Sequence, residues 1–179
     1  MLRIVKTVAS MTAALACVMA APATGATQDL EAYLGQHGYS RVALSKLTSG
    51  HETLRVTING VEGVFVLDSG AGASVVDNAS LAKFALAPST DQAEMATGAG
   101  GEIAVVRYPV QSLSVGDVAL DLAEVRGMDL SGVVNALKSA TGAEIDGVIG
   151  QDVLTRFSGV IDVRAQALFL RKPTPPEAN

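Results

Sequence analysis

The chain has 179 residues, 49% of them apolar and only 4% aromatic with no Trp, which suits one globular domain rather than two. Its 18 acidic residues outnumber 13 basic ones for a net charge of −5, a balance that argues against a nucleic-acid partner. The single cysteine, Cys17, excludes an internal disulfide.

At the N-terminus, Arg3 and Lys6 precede an Ala, Val, Thr and Met-rich run ending near Ala23, the pattern of a secretory signal peptide. Ala21-Pro22-Ala23 and Thr24-Gly25-Ala26 are both candidate cleavage sites. The run is broken by polar residues and is short for a spanning helix of about 20 strongly apolar residues. Residues 1–26 therefore read as a leader removed on export, leaving no stable membrane span and a periplasmic or secreted chain. Cys17 lies inside that leader, so the mature chain holds no thiol nucleophile. A lipoprotein reading is disfavoured, because Ala14 stands where such signals carry Leu. Loss of Arg3 and Lys6 leaves 11 basic against 18 acidic residues, net −7, consistent with a soluble domain.

Residues 27–49 read as an N-terminal extension with a short helix over 28–37, where Leu30, Tyr33 and Leu34 recur at helical spacing. His37 reads as a surface residue. His51 has no second His or Cys at metal-ligand spacing, so no metal site is expected. Between Thr53 and Ile58, Leu54, Val56 and Ile58 alternate with polar residues, the period of a half-buried strand. Asn59-Gly60 is a hairpin signal that returns the chain along Val61 to Leu67 and delivers Asp68.

Residues 64–76, Val-Phe-Val-Leu-Asp-Ser-Gly-Ala-Gly-Ala-Ser-Val-Val, pin that carboxylate between two apolar runs. Continuous apolarity predicts short strands buried on both faces, with Gly70 and Gly72 opening a tight turn between them. Two readings of Asp68 stay open on these residues. It is a desolvated, reachable acid with a chemical use, or a turn-former whose side chain bonds nearby backbone N–H groups. Gly70-x-Gly72 does not extend to a dinucleotide fingerprint, because the third position is Val75 and no long helix follows.

Asp77 or Asn78 is placed to cap a short helix through Phe84, with Leu81 and Phe84 on its inner face. Residues 95–107 put Gly98, Gly100 and Gly101 around Ala99 ahead of a strand, which reads as a mobile hairpin tip or an idle surface loop. Val110–Val115 and Val118–Val125 flank Gly116-Asp117 as a second hairpin. Leu130 to Ala140 is helical in pattern, with Leu130, Val133, Val134 and Leu137 on one face, Asp129 as a cap and Gly142 past the end. Pro173, Pro175 and Pro176 make residues 172–179 an extended, disordered tail.

Val66-Leu67-Asp68-Ser69-Gly70-Ala71 resembles the apolar-apolar-Asp-(Thr/Ser)-Gly-Ala signature of retropepsin-like aspartic proteases, including single-domain bacterial members. Ile145-Asp146-Gly147-Val148-Ile149-Gly150-Gln151-Asp152-Val153-Leu154 is similar to that family's second limb, an apolar pair then Gly opening a short helix. Gly159–Val163 and Ala167–Leu170 fit its closing strands. The resemblance covers residues 50–171 and implies a mainly β fold, a retropepsin-like closed β-barrel with two or three short helices. It implies that Asp68 is catalytic, that Ser69, Gly70 and Ala71 support its loop, and that Val148, Ile149 and Gly150 form the second limb. Gly98, Ala99, Gly100 and Gly101 would form a flap against an extended peptide.

Hydrolysis by this route needs one carboxylate to take a proton from water and another to protonate the carbonyl. Asp146 lacks the Ser/Thr-Gly that follows Asp68, so the partner acid is expected to be Asp68 of a second copy, making a homodimer a requirement. The expected function is an exported aspartic endopeptidase acting on peptide or protein, with no cofactor. Its rival is a non-catalytic peptide-binding module of the same fold, working as a monomer by strand addition. A serine hydrolase is disfavoured, since no Gly-x-Ser-x-Gly elbow occurs. Gly72 stands where viral members carry an Asp that grips substrate backbone, and the Pro-rich tail differs from viral chain ends that interleave into a dimer sheet.

Overall fold

The computed structural model describes residues 30–88, 94–98 and 101–172. The expected leader, the tail from Pro173 and the Ala99-Gly100 tip lie outside the described residues. In chain order the N-terminal half forms α1 (Leu30–Gln36), β1 (Tyr39–Ala43), β2 (Ser45–Lys46), β3 (Glu52–Ile58), β4 (Val61–Leu67), β5 (Val75–Asp77) and a 3-10 turn (Asn78–Ser80). There follow β6 (Glu94–Gly98), β7 (Gly101–Pro109), β8 (Leu113–Val115), β9 (Val118–Ala119), β10 (Glu124–Met128) and α2 (Ser131–Thr141). The chain closes with β11 (Gly147–Ile149), α3 (Gln151–Arg156), β12 (Val160–Asp162) and β13 (Ala167–Arg171).

The fold is mainly β, with three short α-helices among the described residues. A three-stranded sheet runs β1-β13-β12, and the larger sheet follows β6-β7-β10-β5-β11-β4-β3-β8-β9 with β2 on β3. The alternation read in β3 is the observed one: Leu54, Val56 and Ile58 are buried and Arg55 is exposed. Asn59 and Gly60 turn into β4 with φ of 51° and 81°, the left-handed pair that matches strand twist. Asn59 also donates from Nδ2 to Phe84 O (3.0 Å) and accepts at Oδ1 from Gln111 N (2.8 Å), tying the turn to two later loops.

β13 explains its unbroken Ala-Leu-Phe-Leu run. Leu168 and Leu170 enter the main core with Val42, while Ala167 and Phe169 pack on Leu34 of α1, so the strand has no wet face. β1 pairs with β13 from Tyr39↔Arg171 to Ala43↔Ala167, and the stretch before residue 50 is thereby woven into the domain.

Several expectations are corrected. Of Leu30, Tyr33 and Leu34 in α1 only Leu34 is buried, because one face alone meets β13. The strand expected over Val118–Val125 divides into β9, which turns back on β8, and β10, which crosses to lie between β5 and β7. Val133 is 57% exposed, since α2 docks through Leu137 and Val134 on Val66 and Ile145. Gly142 does end α2 in the left-handed conformation, φ 74°, its N–H bonded to Lys138 O. Asp77 does not cap the adjoining turn. Its buried carboxylate accepts from Leu130 N at 2.9 Å, at the start of α2.

Candidate active site

The site is built where β11 inserts between β4 and β5. Gly147–Ile149 pairs in parallel with Phe65–Leu67, and Gly147 and Val148 pair antiparallel with Val76 and Val75. The two apolar runs flanking Asp68 are thus spliced by the second motif, and the 68–74 loop must emerge beside Gly150. Asp68 N donates to Ile149 O (3.0 Å), Gln151 N to Ala71 O (2.8 Å), and Gln151 Nε2 to Ser69 O (2.7 Å). Gly150 N donates to Ser74 Oγ at 2.9 Å. A Cβ on Gly150 would lie 2.7 Å from the carbonyl oxygens of both Ala71 and Ala73, so the two limbs touch backbone to backbone.

Asp152 secures the far end of the loop. Its Oδ1 accepts from Ser74 N (2.8 Å) and Ser74 Oγ (2.6 Å), while Arg126 Nη1 on β10 donates to Oδ2 at 3.1 Å. Charge-assisted bonds of this kind are short and directional, which suits a loop that must hold one shape.

Asp68 itself is exposed, not desolvated as expected, on a loop that stands clear of its two flanking strands. Gly70 N donates to its Oδ1 at 2.8 Å, the local turn bond anticipated as one of the two readings. That bond fixes the carboxylate's orientation and leaves Oδ2 without a hydrogen-bond partner among the described residues. A second correction concerns the glycines. Neither Gly70 nor Gly72 has positive φ. A Cβ on Gly70 would come within 3.2 Å of Asp68 Oδ1, whereas one on Gly72 would meet nothing within 4 Å. Gly70 is thus small to fit, and Gly72 lies in the open.

The other acid of the motifs is elsewhere. Asp146 is buried, where it accepts from Val64 N (2.9 Å) at Oδ2, Ser80 Oγ (2.9 Å) at Oδ1 and Lys83 Nζ (2.7 Å) at Oδ2. With every one of those bonds made to the scaffold, it braces β4 against the 78–85 turn and does not face Asp68's role.

The glycine-rich stretch forms the β6–β7 hairpin, with Gly98 paired to Gly101 beside the tip and Gly101 at φ 110°. Its base is clamped electrostatically. Arg107 Nε and Nη2 donate to the two oxygens of Glu94 at 3.1 Å each, and Nη1 donates to Glu124 Oε1 at 2.5 Å. The hydrogen bonds that Arg107 donates hold the Glu94 carboxyl below its ordinary value, and their acceptance by Glu94 and Glu124 raises the guanidinium.

Asp68, Ser69 and Ala71 are therefore brought onto Ile149, Gly150 and Gln151, with Val148 half-buried behind them. Gly98 and Gly101 sit on a separate hairpin that makes no hydrogen bond to the Asp68 loop among the described residues. Sequence reading assigned no role to Ser74, Arg126, Gln151 or Asp152. Gln151 and Asp152 were visible inside the second motif, but the Arg126 partnership spans 26 residues and leaves no local pattern. His37 and His51 are both exposed and bonded locally, to Tyr33 O and Ser49 Oγ. No group of three His, Cys, Asp or Glu that could hold a metal occurs among the described residues.

The aspartyl protease family model matches residues 54–153, more than half of the chain. A solved structure of a retropepsin-like aspartic protease from Rickettsia conorii is similar at 14% identity, covering 75% of this chain and 90% of that one, with a TM-score of 0.48. The EIAV protease complexed with the inhibitor HBY-793 is similar at 17% identity, covering 66% of this chain and 99% of that one, with a TM-score of 0.46. No curated protein matches.

Proposed function

Since the chain belongs to the aspartyl protease family, we propose that it is an exported, homodimeric aspartic endopeptidase in which Asp68 of two copies forms one catalytic dyad. The observation that carries this reading is the Asp68 loop. It is held to Ile149, Gly150 and Gln151 by backbone and side-chain bonds while its carboxylate stands exposed, with Oδ2 unengaged among the described residues. An acid used only to shape the turn would not need a second limb fixed so closely beneath it.

A two-fold axis past the two loops would bring the carboxylates together. Like charges at close range cannot both ionise, so the pair holds one proton. The ionised Asp68 takes a proton from a water, which attacks the peptide carbonyl. The protonated Asp68 gives its proton to the carbonyl oxygen, and a proton then passes to the departing amine as the C–N bond breaks. Ser69, whose carbonyl is held by Gln151, supports the loop, and Gly70 keeps the approach to Oδ1 clear. The hairpin that carries Gly98 and Gly101 serves as a flap along an extended peptide, with the Arg107 clamp fixing its base. Export follows from the leader over 1–26 and places the activity in the periplasm or outside the cell.

The test is cleavage of a peptide library by the mature chain and by Asp68→Asn, with sedimentation of both. Cleavage by a dimer, lost in a folded Asp68→Asn, is the expected result. Retained cleavage would remove Asp68 from the mechanism, and a folded monomer that binds peptide without cutting it would establish the binding-module alternative.

A further inference from the structure

We infer that the cavity between β10 and α3 binds a small amphiphile carrying an apolar chain and one carboxylate, as a medium-chain fatty acid does. This goes beyond the hydrolytic reading, though the cavity shares Ser74, Arg126, Val148, Ile149 and Asp152 with the supports of the Asp68 loop; binding is read by heat and not by cleavage, so the two readings can fail separately.

The space amounts to about 280 Å³. Its apolar floor is Val56, Ile58, Phe65 and Leu113, all members of the main core. The lining is apolar in the larger part, so a chain that leaves water for it is stabilised by the apolar surface it covers. An apolar cavity of about 150 Å³ takes up benzene. The larger space here suits an unbranched chain of about eight carbons by the same reasoning.

The polar lining decides what the chain must carry at its end. Glu124 and Arg126 come from β10, and Asp152 and Arg156 from α3. Arg126 and Asp152 neutralise each other, and Glu124 shares Arg107 with Glu94. Arg156 is different. It donates from Nη2 to Asp121 O at 3.0 Å and has no carboxylate partner among the described residues. A guanidinium offers five N–H donors in a planar fork that matches a carboxylate. A cationic head would be repelled there, and a neutral one would forgo the charge-assisted bonds.

Calorimetric titration of the whole mature chain with sodium octanoate, octan-1-ol and octylammonium chloride, each below its aggregation concentration, separates the contributions. Octanoate is expected to bind saturably, one per chain, and about tenfold more tightly than octanol, the worth of a hydrogen bond to a charged group. Arg156→Gln, at an exposed position, should reduce octanoate to the octanol affinity and leave octanol unchanged. Val125→Phe, which fills the cavity from β10, should weaken both. No saturable heat with octanoate, equal or tighter binding of octylammonium, or undiminished octanoate binding by Arg156→Gln would each overturn the inference.

Discussion

Replacing Gly150 by Ala tests whether the Asp68 loop is held by direct contact with the second limb. Gly150 has φ −114° and ψ −165°, an extended conformation open to any residue, so the substitution carries no backbone strain. Its cost is space alone. The new methyl would lie 2.7 Å from Ala71 O, 2.7 Å from Ala73 O and 2.8 Å from Ala73 C, all backbone atoms of the loop. No side chain can swing aside, so the loop or β11 must move. Overpacking of a tight site costs about 1–3 kcal/mol, equivalent to a fall in midpoint of roughly 2–4 °C per kcal/mol for a domain of this size. A loop shift near 1 Å lowers kcat/KM about 100-fold if the loop carries the reacting group. The control is Gly72→Ala, where the methyl meets nothing within 4 Å and stability should stay within about 0.5 kcal/mol of wild type. Urea denaturation and peptide cleavage measure both. A Gly150→Ala protein as stable as Gly72→Ala would refute the claim that the two limbs are packed backbone to backbone.

Asp146→Ala leaves Val64 N–H, the Ser80 hydroxyl and Lys83 without their acceptor, and urea denaturation should show a loss of about 2–5 kcal/mol. Asp77→Ala removes the buried acceptor of Leu130 N, and the start of α2 should lose amide-exchange protection with a stability loss of about 1–3 kcal/mol. The Glu94 carboxyl is held below 4.5 by the Arg107 hydrogen bonds and then by its charge. A depressed carboxyl contributes stability that is complete above its unfolded value and is lost as pH falls through the depressed one. The flap clamp should therefore persist at neutral pH and open only below pH 4.5. A carboxyl-carbon NMR titration of Glu94 should show a midpoint under 4.5 that moves back up in Arg107→Gln.

Much of this architecture was legible because local pattern carries it. Leu54, Val56 and Ile58 alternate, Asn59-Gly60 turns, and Gly142 stops α2, each through chemistry confined to a few neighbouring residues. Both motifs of the site were legible for the same reason. What escaped is set by distance along the chain. Asp152 meets Ser74 across 78 positions and Arg126 across 26, and Asp77 meets Leu130 across 53. Periodicity cannot foresee such partners, so Asp77 was assigned to the turn beside it. The exposure of Asp68 is not legible from its apolar flanks, because the loop lifts the acid clear of β4 and β5.

The claim on which the hydrolytic reading turns is that one active site needs Asp68 from two chains. Mixing wild-type and Asp68→Asn chains at fixed total concentration, after exchange has equilibrated, measures it directly. If each dyad draws one acid from each copy, cleavage falls with the square of the wild-type fraction, to about one quarter at an equal mixture. A fall in simple proportion, to about one half, would mean that each chain works alone and would contradict the shared dyad.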